Sequence, residues 1–141
     1  MNGTDDMEFA GGRYFLIRDK KGNLKVYDTK KKTIKTIGNK SIRKIINTDG
    51  YWYYLTCSKP NAKTKSYKVM RIAENGKGKA KQIAAFKTKY HYDDVVGFTS
   101  ERIFFLKDES YSMEYNFAKK KMIKRKDQDV WYYIGNYNAF S

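Results

Sequence analysis

Five-residue runs of bulky aromatic and branched side chains recur along this chain, and they constrain its fold more than any other feature. The runs are Arg13-Tyr14-Phe15-Leu16-Ile17, Tyr51-Trp52-Tyr53-Tyr54-Leu55, Arg102-Ile103-Phe104-Phe105-Leu106 and Val130-Trp131-Tyr132-Tyr133-Ile134. Each is entered from small or polar residues: Gly11-Gly12, Asp49-Gly50, Ser100-Glu101 and Gln128-Asp129. Runs this short are half the length of a helix, and this aromatic they read as strands buried on both faces. Composition agrees. The 141 residues include 13 Tyr and 8 Phe but a single Pro, and Ala and Leu are scarce, which favours strands.

The segments downstream of each run recur as well. A polar loop leads to a second strand, at Leu24 to Tyr27, Tyr67 to Ile72 and Tyr111 to Phe117. The first of these alternates, with Leu24 and Val26 on one face and Lys25 and Tyr27 on the other. After a further turn comes a third strand, at Thr33 to Ile37, Lys81 to Phe86 and Lys121 to Lys124. One more strand precedes the runs at Tyr51 and Arg102: Ile42 to Asn47 and Val95 to Thr99. The unit is therefore four antiparallel strands joined by turns. Residues 1–10 are a tail or the first unit's leading strand, and 11–141 form a single all-β repeat domain. Its units span approximately 11–41, 42–93, 94–127 and 128–141, the last a fragment. The second unit is the longest, through a loop at Ser58 to Ser66 and an insertion at Lys87 to Asp93.

Four-stranded units of about 40 residues are the signature of propeller blades. The chain resembles the propeller repeats of Gram-positive bacterial proteins that are like the low-density-lipoprotein-receptor β-chain, and more distantly TolB-type repeats. Asp49-Gly50-Tyr51-Trp52-Tyr53-Tyr54-Leu55 carries most of the resemblance, which covers Gly11 to Ile134. No Trp-Asp dipeptide is present, so it is unlike WD40 repeats. Three units and a piece fall short of the four to eight blades that usually close a ring. A fragment of a longer chain, a homodimer completing the ring, or a different fold would each account for this. An up-and-down β-barrel or a sandwich fits the length as the alternative architecture.

Thirty Lys and Arg against fifteen Asp and Glu give a formal net charge of +15. Such a surplus attracts nucleic acid, acidic headgroups or anionic wall polymers. The lysines gather at one recurrent turn. Lys30, Lys31 and Lys32 come after the second strand of the first unit, and Lys77 and Lys79, with Lys81, hold the same place in the second. In the third unit, Lys119, Lys120 and Lys121 hold it, extended by Lys124, Arg125 and Lys126. Equivalent positions should project from one edge, forming a polyanion-binding face. The competing reading is that lysine at hairpin tips keeps β-proteins from pairing edge to edge. Lysine also outnumbers arginine, whose planar fork is the usual tool for bases and phosphates.

Catalytic chemistry has little to work with. His91 is the only histidine, flanked by Tyr90, Tyr92, Asp93 and Asp94, without a second His or Cys to complete a zinc site. Cys57 is the only cysteine, so neither a disulfide nor a cysteine metal site is expected. Asp5-Asp6 and Asp127 to Asp129 read as tail or turn acids and not as a glycosidase pair. Gly76-Lys77-Gly78-Lys79 lacks the spacing and adjoining helix of a phosphate loop. The aromatic runs could stack bases or sugars, but packing between neighbouring blades demands the same bulk. The expectation is a non-enzyme with no cofactor, binding a protein or glycan partner through its loops. Polyanion binding is the first alternative and a barrel holding an apolar ligand the second. No apolar run reaches the roughly 18 to 20 residues of a membrane span. Met1 to Phe9 is acidic and unlike a signal peptide. The setting is extracellular or cell-surface if a leader has been removed, as the resemblance implies, and cytoplasmic otherwise.

Overall fold

The computed structural model describes residues 7–10, 13–38, 41–108 and 110–126. They form three four-stranded antiparallel sheets, each a meander in chain order. Sheet 1 holds β1 (Met7–Ala10), β2 (Tyr14–Arg18), β3 (Leu24–Asp28) and β4 (Thr33–Gly38). Sheet 2 holds β5 (Ile42–Thr48), β6 (Tyr51–Cys57), β7 (Lys65–Ala73) and β8 (Lys81–Thr88). Sheet 3 holds β9 (Val95–Phe98), β10 (Arg102–Leu106), β11 (Tyr111–Asn116) and β12 (Lys121–Lys126). The helical content of the described residues is one 3-10 turn, Tyr92–Asp94. The aromatic run at Val130 lies outside the described residues.

The sheets stack face on face in a propeller-like arrangement. Tyr14, Leu16, Leu24 and Val26 of sheet 1 pack against Ile42, Trp52, Tyr54 and Ile72 of sheet 2. The opposite face of sheet 2, with Leu55, Cys57, Tyr67, Val69 and Phe86, packs against Ile103, Phe105, Tyr115 and Phe117 of sheet 3. Strand alternation produces this double-sided burial, since neighbours along β6 point to opposite faces. Trp52, Tyr53, Tyr54 and Leu55 are all buried in consequence. Among the described residues no barrel or two-layer sandwich forms: each sheet pairs within itself, and the central one is covered on both sides.

Aromatic rings fill the second layer. Phe86 stacks on Tyr115 at 4.1 Å between centroids and on Tyr67 at 5.4 Å. Phe105 meets Tyr67 at 5.7 Å and Tyr90 at 5.8 Å. Such pairs add about 0.5–1.5 kcal/mol each beyond the area they bury. The Tyr67 hydroxyl, carried into this layer, donates to the Tyr90 carbonyl at 2.7 Å. Trp52 likewise satisfies its indole N–H on the Glu74 carbonyl at 2.9 Å. Asp49 and Gly50 join β5 to β6 with φ of 55° and 81°. Two consecutive positive φ values define the type I′ turn, whose twist suits a two-residue hairpin.

The repeats superimpose through their backbone hydrogen bonds, and this corrects the first aromatic run by one residue. Thr29 N donates to Arg13 O, Glu74 N to Gly50 O and Phe117 N to Glu101 O, at 2.8, 3.0 and 3.0 Å. Tyr14, Tyr51 and Arg102 are therefore equivalent, and the run begins at Tyr14, not Arg13. Phe15 and Ile17 then correspond to Trp52 and Tyr54, and to Ile103 and Phe105. In sheets 2 and 3 these residues are buried on the preceding sheet. In sheet 1 they lie on the outer face and are only half-buried, beside the exposed Ile34.

Candidate functional site

The lysine-rich turns join the third and fourth strands of each sheet. In the β3–β4 turn, Asp28 O accepts from Lys32 N at 2.7 Å, and Asp28 Oδ1 accepts from Lys30 N and Lys31 N at 3.0 and 3.2 Å. In the β11–β12 turn, Asn116 O accepts from Lys120 N and Asn116 Oδ1 from Lys119 N, both at 2.9 Å. These are one turn built twice. A short side chain with an oxygen three bonds from the backbone gathers the N–H groups that the reversal leaves unpaired. Each turn also forces a lysine into the left-handed region, Lys32 at φ 56° and Lys120 at φ 55°. The β7–β8 turn is longer and different: Asn75 Oδ1 accepts from Lys77 N at 2.9 Å, and Gly76 and Gly78 carry the positive φ values. A Cβ on Gly76 would lie 3.2 Å from Ile37 Cγ2, so this turn leans on β4 of sheet 1.

The bonds that tie each lysine turn to the turn entering its aromatic strand place the lysines at one end of every sheet. Lys30, Lys31, Lys32, Lys77, Lys79, Lys119, Lys120, Lys121 and Lys124 are all exposed. None of them forms an ion pair among the described residues. Lys124 Nζ sits over the Tyr111 ring at 4.1 Å. The rim is not uniformly positive, because Asp49 and Glu101 are exposed at the same end.

Arg125 has a different position from its lysine neighbours. It is half-buried, and its Nε donates to Glu114 Oε1 at 3.3 Å. Arg102 Nη1 donates to the same oxygen at 3.3 Å, and Asn116 Nδ2 to Glu114 Oε2 at 3.4 Å. The Glu114 carboxylate is fully buried between two guanidinium groups. Sequence reasoning missed this cluster. Its signal was a carboxylate in the middle of a strand, paired with Phe104 of the aromatic run. A charge in that position requires cationic partners.

A second fork lies at the base of the first lysine turn. Arg13 Nε and Nη2 each donate to one oxygen of Asp28 at 3.1 Å. With the turn N–H groups of Lys31 and Lys30 adding to Arg13, the Asp28 carboxyl is held down to about 2. His91 caps the 3-10 turn: its Nδ1 accepts from Asp93 N at 3.0 Å, and its ring lies 4.0 Å from that of Tyr92. No cluster of three or more His, Cys, Asp or Glu suited to a metal exists among the described residues. Cys57 is buried and unpaired by any disulfide. Asp5, Asp6 and Asp127 to Asp129 lie outside the described residues. No helix among those residues is long and apolar enough to cross a membrane.

No family model matches the chain. No curated protein matches it either. Among solved structures, it is similar to a chain in an assembly from S. cerevisiae described as Dbp5 bound to Nup159, Gle1, IP6 and ADP. The identity is 9% and the TM-score 0.52, over 86% of this chain and 36% of that one. At that identity the likeness is one of fold alone. The present chain spans about a third of the length of the chain it matches.

Proposed function

We propose that this chain is a non-catalytic interaction module, a propeller-like scaffold that presents loops to a protein or glycan partner. The observation that carries this reading is the division of the described polar groups. Those that are buried, Asp28, Glu114 and Asn116, are spent on turns and on joining strands. Those that are accessible include the lysines on the hairpin tips, beside exposed acids such as Asp49 and Glu101. No nucleophile, base and orienting group stand together among the described residues, as acyl or phosphoryl chemistry would require. The setting implied by the resemblance to Gram-positive propeller repeats is a bacterial surface or secreted protein.

A second reading is favoured by one observation, the alignment of the three lysine turns at a single end. There the module docks a polyanion such as nucleic acid or an anionic wall polymer. Retention on heparin and on DNA columns across a salt gradient tests it. A docking rim loses affinity steeply between about 50 and 200 mM salt. The double variant Lys30→Gln/Lys31→Gln should then elute earlier than the parent. Unchanged elution would leave the partner-binding reading and remove the polyanion one.

A further inference from the structure

Sheet 2 is longer than its neighbours; one face of the added length, with Cys57, Tyr67 and Phe86, packs on sheet 3, and the other face does not serve the core. Its strands run 7, 7, 9 and 8 residues, where those of sheets 1 and 3 run 4 to 6. By the repeat equivalence, Thr56 and Lys68 correspond to Asp19 and Asn23 in sheet 1 and to Lys107 and Tyr111 in sheet 3. In those sheets the pair closes the hairpin, through Asp19 N to Asn23 O at 2.9 Å and Lys107 N to Tyr111 O at 3.2 Å. In sheet 2 the ladder continues, with Ser58 N donating to Ser66 O at 3.2 Å.

The extension carries an ordered polar face. Thr56 pairs with Lys68 and Lys68 with Ala85; Ser66 pairs with Lys87. Alternation puts Thr56, Ser58, Ser66, Lys68, Ala85 and Lys87 on one face, in two rows across three strands. Further along β6 the same face bears Tyr54 and Trp52, which belong to the core against sheet 1. One row past Tyr54, apolar packing gives way to hydroxyls and ammonium groups. The result is a hollow of about 540 Å³, closed at its rim by Ser41 and lined by no carboxylate among the described residues. Strand spacings make the grid about 10 Å by 7 Å, the size of one sugar ring. It opens at the end of sheet 2 opposite the lysine turns, because successive hairpins of a meander alternate ends.

The geometry points to a binding site for an anionic sugar. Lys68, in the middle of one row, and Lys87, at the end of the next, are diagonal neighbours on adjacent strands and suit a phosphoryl or carboxyl group. Ser58 and Ser66 offer hydroxyls to the ring's own hydroxyls, Thr56 Oγ1 donates to the Lys68 carbonyl at 3.5 Å and is left to accept, and exposed Ala85 leaves the floor low and apolar beneath them. This rests on the glycan branch of the proposed function and assigns it a place and a charge.

Calorimetric titration with glucose 6-phosphate, glucuronate, glucose and inorganic phosphate tests the site. Both anionic sugars should bind about tenfold more tightly than glucose or inorganic phosphate, since charge and hydroxyls are read together. The tighter of the two identifies the charged group. Lys68→Gln and Lys87→Gln should each weaken binding about tenfold, and Ser66→Ala about threefold. Amide chemical-shift changes in the unmodified protein should fall on β6, β7 and β8, a readout independent of any variant. Inorganic phosphate binding as tightly as glucose 6-phosphate would overturn the proposal, as would no saturable binding by any probe. An equal loss in Lys30→Gln/Lys31→Gln would also overturn it. Because the rim is read by heparin retention and the hollow by calorimetry with small probes, failure of the rim and failure of the hollow remain separate results.

Discussion

Arg13 and Asp28 form a two-pronged ion pair across the β2–β3 ladder, each guanidinium nitrogen 3.1 Å from its own carboxylate oxygen. The same carboxylate collects the backbone of the lysine turn, so one side chain anchors both the strand pair and the tip.

This anchor should make sheet 1 acid-sensitive. A carboxyl held at about 2 contributes stability above its ordinary value of about 3.9 and loses it as pH falls through about 2. Asp28→Asn keeps an oxygen for the turn, as Asn116 does in sheet 3, but cannot neutralise Arg13. Denaturant midpoints of parent and Asp28→Asn should differ at pH 7 and converge between pH 4 and pH 2.

Lys32 and Lys120 occupy backbone positions that suit glycine. Lys32→Gly and Lys120→Gly should each raise stability by up to about 1 kcal/mol, by relieving the left-handed conformation. If the rim docks polyanions, the same variants should elute earlier from heparin. Thermal midpoints and column elution, measured together, separate strain from charge.

Glu114→Gln should be costly although it is isosteric. It removes the buried charge on which the half-buried Arg102 and Arg125 converge, and breaking such a pair costs about 3 kcal/mol. Because the Glu114 carboxylate is buried, the interaction should be screened less by added salt than a surface pair, so the loss should be similar at low and high ionic strength.

Phe105→Ala should destabilise by about 3–5 kcal/mol, opening a void beside Tyr67, Phe86 and Tyr90. Its repeat equivalent Ile17 is half-buried on the outer face of sheet 1. Ile17→Ala should cost only about 1 kcal/mol, a fraction of a full burial. Urea unfolding of the two variants checks the contrast.

The strands were legible because their signals are local: a bulky run, a Gly or Asp turn, an alternating partner. Leu24 to Tyr27 and Lys81 to Phe86 could be placed from such cues alone. The offset of the first run was not legible, because Arg13 and Tyr14 both fit a bulky pattern and only the bond from Thr29 to Arg13 fixes the frame. The lysine turns could be aligned from sequence, since Asp28 and Asn116 stand at matching positions. Arg125 looked like one more rim charge; its partner Glu114 lies on the next strand, and cross-strand register sets that contact. The hollow was hidden for the same reason. Ser58, Ser66 and Lys87 are scattered in the chain and meet only through the pairing of β6, β7 and β8.

The two core layers share no residue, and sheet 2 contributes to both. Among the described residues, sheets 1 and 3 are thus coupled through the middle one, as in a linear array with nearest-neighbour terms. Either outer sheet can open while the opposite layer stays intact, so the amides of β6 and β7 should outlast all others in hydrogen exchange. Cooperativity among these three sheets has a centre, and the sugar-sized hollow is built on it.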